Sequence, residues 1–276
     1  MKFLLFGGKG WIGQKLVDLL MKDNHEVHLS NCRLENYSDI LNELNNIKPD
    51  FVLNSAGIKG FPTVDWCEEN KETTMFINVA GILNLVNACH ISNVHVTNYC
   101  TGCIYSYNTF DEIFTENDKP NFTGSTYSKT KVISEETLSV YNNVLNLRIR
   151  LPVSSDLDSR GLIGKLSNYK KVIDVPNSVT ILDEMLPISI DMTIKRFKGT
   201  FNFVNPGLVK WSFILECYQK YVDKNFKFDV FTTEEQDKIL KAPRSNCCLD
   251  NSKLENYYKL TDANIMICEI IKNFIK

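Results

Sequence analysis

The chain has 276 residues, enough to form one large domain or a large domain with a smaller one beside it. Hydrophobic residues make up 43% of the chain and charged residues 23%, values typical of a folded globular protein. The formal net charge of −2 gives no basic surplus, so we expect neither a nucleic acid nor a membrane surface as a partner.

Nine cysteines lie at irregular spacings and form no pair of CxxC motifs with zinc-like spacing, so we expect no bound metal. The odd number of cysteines in a chain of this length argues against a disulfide framework and favours a reducing compartment, and we therefore expect a cytoplasmic protein. The first apolar run, residues 2–6, ends at Gly7 and is too short for a signal peptide. No run approaches the roughly 18 apolar residues of a membrane span.

Taken in chain order, the first half alternates short apolar runs with longer helix-like stretches. The runs that predict strands are residues 2–6, 26–29, 50–54, 94–99 and 144–149. The stretches that predict helices are residues 10–22, 38–46, 72–91 and 124–141. This alternation is typical of a parallel sheet with helices on both faces, so we predict an α/β fold of the doubly wound, Rossmann type.

The second half is less regular, because five of the eight prolines fall after residue 150. Its pattern predicts helices near residues 182–197, 210–222, 233–241 and 261–275. Residues 199–204 resemble one more strand that returns to the sheet. We therefore predict a dinucleotide-binding domain through about residue 150 and a smaller C-terminal substrate-binding cap built mainly from residues 151–276.

A glycine-rich loop follows the first predicted strand and opens the first predicted helix: Gly7-Gly8-Lys9-Gly10-Trp11-Ile12-Gly13. Gly7 permits the tight turn, Gly10 lets the backbone approach a pyrophosphate, and Gly13 lets helix and strand pack closely. The helix N-terminus offers free N–H groups and the positive end of its dipole to the phosphates. The loop predicts a dinucleotide site.

The end of the second predicted strand favours NADP(H) over NAD(H). NAD-binding folds place a carboxylate about 20 residues after the glycine loop, but here Asn31 and Arg33 precede Glu35. Arg33 can pair with a 2′-phosphate through a charge-assisted fork, although a solvated surface arginine is the alternative. A further stretch of small residues, expected to pass along the cofactor, follows the third strand: Asn54-Ser55-Ala56-Gly57.

Tyr127 and Lys131 lie four residues apart on a predicted helix and therefore share one face. An ammonium one turn away stabilises a phenolate, so we expect Lys131 to lower the pKa of Tyr127, and it can also hold ribose hydroxyls. Thr101 follows the fourth strand and can hydrogen-bond a substrate carbonyl beside the cofactor. The three side chains predict reduction of a ketone.

Together these residues resemble the short-chain dehydrogenase/reductase superfamily in its extended, sugar-nucleotide-modifying branch. The chain is similar throughout to one of its families, the bifunctional UDP-4-keto-6-deoxyglucose 3,5-epimerase/4-reductases of UDP-L-rhamnose synthesis. The motifs that carry this resemblance are Gly10-Trp11-Ile12-Gly13, Val64-Asp65-Trp66-Cys67-Glu68, Thr101-Gly102-Cys103-Ile104, Pro120-Asn121-Phe122-Thr123-Gly124-Ser125, Tyr127-Ser128-Lys129-Thr130-Lys131 and Ala242-Pro243-Arg244-Ser245-Asn246.

The resemblance implies a second chemistry, epimerisation at C3 and C5 of the sugar, which needs two acid/base groups on opposite sides of the ring. Cys103 matches the family's cysteine, whereas a buried structural thiol is the alternative interpretation. All four histidines lie in the first half of the chain, which leaves lysine as the second group. The stretch around Lys165 resembles the one that carries the family's lysine, and Lys170 and Lys171 remain competitors.

The resemblance further implies that Arg244 contacts the diphosphate of a nucleotide sugar, with Thr101 and Cys103 also at the substrate. The expected activity converts UDP-4-keto-6-deoxy-D-glucose to UDP-L-rhamnose with NADPH. Two alternatives stay open: a 4-reductase alone, linked to UDP or dTDP sugars, and a non-catalytic NADP-binding regulatory subunit. Members of such families are often dimers, so a homodimer is a further possibility, and the sequence leaves the oligomeric state open.

Overall fold

The computed structural model describes residues 1–61, 63–156 and 158–275. Its strands are β1 (Lys2–Phe6), β2 (Glu26–Leu29), β3 (Phe51–Asn54), β4 (His95–Thr101), β5 (Ile113–Phe114), β6 (Val144–Ile149), β7 (Lys171–Ile173), β8 (Gly199–Asn202), β9 (Asp229–Phe231) and β10 (Cys248–Leu249). Six of them form one sheet in the order β2-β1-β3-β4-β6-β8, and every pairing in it is parallel. The order reverses beside β1, which places a crevice at the carboxyl ends of the strands.

The helices alternate with these strands. They are α1 (Trp11–Lys22), α2 (Tyr37–Ile47), α3 (Asp65–Glu69), α4 (Lys71–Met75), α5 (Ile82–Ile91), α6 (Thr126–Leu138), α7 (Leu162–Leu166), α8 (Leu182–Ile194), α9 (Trp211–Tyr221), α10 (Thr233–Asp237), α11 (Ser252–Glu255) and α12 (Ala263–Lys272). A π-helical turn, Phe76–Gly81, joins α4 to α5, and a 3-10 turn, Asn273–Ile275, follows α12.

The sheet is covered on both faces, which explains why β1 is apolar and buried at four successive positions, Phe3 to Phe6, rather than at alternate positions. Phe3 and Leu5 of β1 point into a cluster with α1 and α8. Leu4 and Phe6 of the same strand point into a second cluster with α2 and α5. All four side chains are at most 1% exposed. The predicted doubly wound α/β fold is confirmed.

One helical stretch, Lys71–Ile91, is long and apolar enough to cross a membrane by length and composition alone. This corrects the expectation that no segment approaches that length. Half of its most apolar window is buried inside the protein, where Ile82, Leu85 and Val86 pack in the cluster beneath the sheet. A core helix meets the same criterion, so the stretch is weak evidence for a membrane span.

The C-terminal part has its own apolar cluster, formed by α7, β7, α9 and α12. Two small parallel sheets accompany it, β7 with β9 and β10 with β5. Strand β8 instead returns to the large sheet beside β6, so the polypeptide from residue 151 onwards contributes to both parts. The C-terminal part outside the large sheet, called the cap below, is therefore tied to that sheet through β8.

A line of buried amides crosses the middle of the sheet. Asn54 of β3 donates to Asn98 of β4, and Asn98 donates to Asn146 of β6, each at 2.8 Å. Asn146 then donates to the Glu135 carboxylate of α6 at 3.1 Å, and Arg148 pairs with the same carboxylate. Each buried polar group in the line is thus satisfied by its neighbour.

Candidate active site

The glycine-rich loop packs as its spacing predicts. Gly7 has a φ of +76°, and a Cβ there would lie 2.5 Å from the Ala56 backbone nitrogen. A Cβ on Gly13 would lie 2.7 Å from the Gly8 Cα, so the start of α1 touches the loop. A Cβ on Gly10 would meet only the Gly7 oxygen, at 3.1 Å, and would otherwise face the crevice. The loop therefore leaves open space where a pyrophosphate needs to approach.

A cleft of about 500 Å³ runs along the carboxyl ends of β1, β3 and β4. Nine of the residues predicted to bind the cofactor line this cleft: Gly10, Trp11, Ile12, Gly13, Ser55, Ala56, Gly57, Tyr127 and Lys131. Asn54 is fully buried instead and holds the turn by accepting from the Ala56 N–H at 3.1 Å. The Asn54 side chain thus shapes the turn that carries Ser55, Ala56 and Gly57.

Two predicted cofactor-binding cations lie in this region, Lys9 within the glycine-rich loop and Arg33 after β2. The Lys9 ammonium donates to the Asn31 side chain at 2.9 Å, so the structure brings these two predicted residues together. The Arg33 side chain is 76% exposed, and its guanidinium lies 3.1 Å from Glu35. Arg33 can still turn toward a ligand phosphate, because exposed ion pairs of this kind are held weakly.

Helix α6 presents Tyr127 and Lys131 to the cleft. Its N-cap, Ser125, accepts from the Ser128 N–H, and Glu68 binds the backbone and hydroxyl of Thr126 at 2.6 and 2.8 Å. These contacts fix the first turn of the helix and so the direction of the Tyr127 ring. The Lys131 ammonium lies 5.9 Å from the centre of that ring.

The expected direction of the Tyr127 pKa is wrong. Burial raises the pKa of Tyr127 well above its usual value, Cys103 adds to this effect, and the nearby Thr101 hydroxyl only partly offsets it. Burial also lowers the pKa of Lys131, so its charge is itself disfavoured. Tyr127 is therefore a protonated phenol, suited to donate a hydrogen bond and then a proton.

Cys103 lies in the turn after β4, where three contacts hold it. Its N–H donates to the Thr101 hydroxyl at 3.1 Å, and its carbonyl accepts from the Ser128 hydroxyl at 2.7 Å. Its sulfur accepts from the Arg150 guanidinium at 2.6 Å. Arg150 was missed by the sequence reasoning, since nothing in the pattern at the end of β6 marks it as close to residue 103.

Lys165 lies on α7 at the junction of two clefts. Burial lowers the pKa of Lys165, and the charge of Lys59 lowers it further. Of its competitors, Lys171 borders only the cap cleft and lies 3.6 Å from Glu235, whereas Lys170 is exposed and lines neither cleft. Lys59, which also lines the crevice, is a second residue that sequence reasoning missed.

The second cleft, of about 410 Å³, lies between α6 and the cap and includes Arg244. Asp65 of α3 holds the Arg244 guanidinium with two contacts of 3.1 Å, and Arg244 in turn lowers the pKa of Asp65. Arg244 thus borders the expected substrate cleft but already has a carboxylate partner. Its first role in this structure is to tie the cap segment to α3.

No histidine is among the described residues that line the two clefts. His95 begins β4 at the opposite edge of the sheet, and burial lowers its pKa to about 4. Within residues 1–61, 63–156 and 158–275, no three His, Cys, Asp or Glu side chains are grouped as a metal site. All nine cysteines are free thiols.

Fold and site together define an oxidoreductase of the short-chain dehydrogenase/reductase type. The family model described as RmlD substrate binding domain matches residues 1–151, more than half of the chain. The chain belongs to this family.

Relatives support the same assignment. A bifunctional dTDP-4-dehydrorhamnose 3,5-epimerase/dTDP-4-dehydrorhamnose reductase of Arabidopsis thaliana is 45% identical over 262 residues, covering 93% of this chain and 87% of that protein. A trifunctional UDP-glucose 4,6-dehydratase/UDP-4-keto-6-deoxy-D-glucose 3,5-epimerase/UDP-4-keto-L-rhamnose-reductase of the same plant is 46% identical over 264 residues, and this chain spans 40% of its length. The crystal structure of the L780 UDP-rhamnose synthase of Acanthamoeba polyphaga mimivirus has 37% identity, a TM-score of 0.95 and 99% coverage of both chains.

Proposed function

We propose that this protein is a bifunctional 3,5-epimerase and NADPH-dependent 4-reductase that converts UDP-4-keto-6-deoxy-D-glucose to UDP-L-rhamnose. One observation carries the proposal: the cofactor cleft and the cap cleft meet at a shared wall that includes Tyr127, Cys103 and Lys165. A sugar ring at this junction has a proton donor and two further acid/base groups around it. The names of the plant and viral relatives point to the same substrate class.

The residues of the first cleft, together with three side chains from the glycine-rich loop and the end of β2, fit NADP(H). The backbone around Gly10 at the start of α1 receives the pyrophosphate, and Lys9, Asn31 and Arg33 offer the charge and donors for a 2′-phosphate. The Lys131 ammonium lies close to Gly57, where it would hold the ribose hydroxyls of the cofactor. When bound, NADPH supplies the hydride for C4 of the sugar.

Reduction needs a proton at the C4 oxygen, and Tyr127 provides it. Because burial raises its pKa, the phenol is protonated at neutral pH and donates a hydrogen bond to the ketone. The Thr101 hydroxyl, which lines the same cleft as Tyr127, is a second donor for the same oxygen. Both donors also stabilise an enolate at that oxygen, so the same pair serves the epimerisation.

Epimerisation uses Cys103 and Lys165. One group removes the proton next to the ketone and the other returns a proton from the opposite face of the ring. Burial and the neighbouring charge of Lys59 lower the pKa of Lys165, which brings its ammonium closer to the strength of acid that this step needs. Nine free thiols are consistent with a cytoplasmic site of action, which we include in the proposal.

The test is the conversion of UDP-4-keto-6-deoxy-D-glucose with NADPH in D2O, followed by mass and NMR analysis of the product. We expect UDP-L-rhamnose with deuterium at C3 and C5. Cys103→Ser and Lys165→Gln lose the exchange but still reduce pre-epimerised substrate, whereas the matched control Lys170→Gln retains both activities. A product labelled at neither carbon rejects the epimerase function and leaves a reductase. NADPH binding without turnover of any 4-keto nucleotide sugar rejects both activities.

A further inference from the structure

Arg150 is a buried cation at the centre of the site. It follows directly after β6 and is 4% exposed. Its guanidinium donates to the Cys103 sulfur and to the Asn177 side chain, each at 2.6 Å, and also to the Ser245 carbonyl. Three segments far apart in sequence therefore converge on one side chain.

The partners of Arg150 include no carboxylate. Two residues earlier on the chain, the equally buried Arg148 pairs with Glu135. Arg150 takes part in none of the ion pairs that residues 1–61, 63–156 and 158–275 form. A buried charge without a counter-charge is costly, so an ionisable neighbour is favoured to supply the negative charge.

Thiols are the ionisable groups beside Arg150. Burial opposes its charge, but Cys103 first and then Cys247 outweigh this effect, so the pKa of Arg150 lies above its usual value. Burial raises the pKa of Cys247 to about 11, and its thiol donates to the Gly102 carbonyl. Cys103 is partly exposed and borders both clefts. Cys103 is therefore the neighbour that can carry the charge and also reach a ligand.

We propose that Arg150 is a positioning residue that holds Cys103 as a thiolate with its sulfur directed into the sugar site. The base of the epimerisation is then present before substrate binds. Arg150 acts through Cys103 and takes no proton itself. The inference rests on the proposed function for the role of the thiolate, but the ionisation of Cys103 can be measured without any sugar.

The proton balance is complete. The thiolate sulfur takes a proton from the carbon next to the ketone, so a C–H bond breaks, an S–H bond forms and the electron pair moves to the ketone oxygen. The ammonium of Lys165 then gives a proton to the opposite face of the same carbon, which restores the ketone. The Cys103 thiol loses its proton to solvent and the Lys165 amine takes one up, so both groups return to their starting states before the second carbon reacts. The charged or titratable groups that face Cys103 are Arg150, Cys247, Tyr127 and, across the cleft, Lys165.

The test is the pH dependence of Cys103 alkylation by iodoacetamide, followed by mass spectrometry of the peptide that contains it. Only the thiolate reacts, and a free cysteine has a midpoint near pH 8.5. In the wild type we expect reaction at neutral pH, and in Arg150→Gln a midpoint higher by about 1 to 3 pH units. Arg150→Lys keeps the charge and should keep a low midpoint. The exposed Arg196, replaced by Gln, is the matched control and should leave the midpoint unchanged.

A structural role alone would lower thermal stability without moving the alkylation midpoint, and that result in Arg150→Gln overturns the inference. If Arg150→Gln does not fold, the thiolate absorbance of the wild type minus that of Cys103→Ala decides. A difference that titrates at or above the range of a free thiol overturns the proposal, and one that titrates clearly below it supports the proposal. Absence of deuterium exchange together with a shifted midpoint rejects the epimerase function while the inference stands.

Discussion

Replacing Gly13 by alanine tests whether the start of α1 must touch the glycine loop. The new Cβ would lie 2.7 Å from the Gly8 Cα, 2.8 Å from the Gly7 carbonyl carbon and closer still to the Gly7 oxygen. These are backbone atoms that cannot rotate away, so the overlap costs about 3 kcal/mol. Alanine returns about 1 kcal/mol of helix propensity. The net loss of about 2 kcal/mol lowers Tm by about 4–8 °C.

Gly10→Ala is the matched control, because its Cβ meets only the Gly7 oxygen at 3.1 Å. We expect this variant to keep Tm within about 2 °C of the wild type, since alanine at an N-cap costs less than about 1 kcal/mol. Its methyl group enters the crevice, where we expect it to weaken NADPH binding about tenfold. This corresponds to about 1.4 kcal/mol of binding free energy. Thermal unfolding by circular dichroism and NADPH fluorescence titration measure both effects. A Gly13→Ala protein that unfolds at the wild-type temperature would refute the packing argument.

Three further outcomes are expected. Glu135→Gln leaves the buried Arg148 without its counter-charge, so urea denaturation should show a loss of about 3–5 kcal/mol; a loss below about 1 kcal/mol contradicts this. Tyr127→Phe should bind NADPH normally but reduce pre-epimerised substrate about 10² to 10⁴ times more slowly, and unchanged turnover would remove its role as proton donor. Burial is the larger cause of the lowered pKa of Lys165, and the charge of Lys59 is the second. Lys59→Met removes this second cause. The ammonium then persists to higher pH, and the alkaline limb of the deuterium-exchange profile should shift upward, whereas an unmoved limb argues against Lys165 as the acid.

Local patterns were sufficient for the fold and for much of the site. Strands β1, β2 and β6 begin and end where the runs in the sequence predict. For β1 the reason is that a strand buried on both faces is a continuous apolar segment bounded by polar residues. The Tyr127 and Lys131 pair was also predictable, because the two side chains lie one turn apart on a single helix. The predicted helix over 72–91 was correct in extent but contains the π-helical turn, for which the sequence carries no local signal.

Contacts between distant segments were not predictable. The two-residue strands β5 and β10 stabilise each other only because the fold brings residues 113 and 248 together, and neither has a periodicity of its own. Arg150 contacts residues 103, 177 and 245 for the same reason. The direction of the Tyr127 pKa was missed because burial, which depends on the whole fold, outweighs the nearby lysine.

The line of amides through the sheet has a consequence for the pocket in which we propose that protons move. Asparagine side chains do not titrate, so the link from Asn54 to Asn98 and Asn146 is the same at every working pH. A slip of β4 by one residue would turn Asn98 to the other face and strand its two neighbours without partners. One end of the line holds the Ala56 N–H beside the cofactor loop, and the other meets Glu135, one helical turn beyond Lys131. The alignment of β3, β4 and β6 is therefore insulated from protonation changes in the pocket above them.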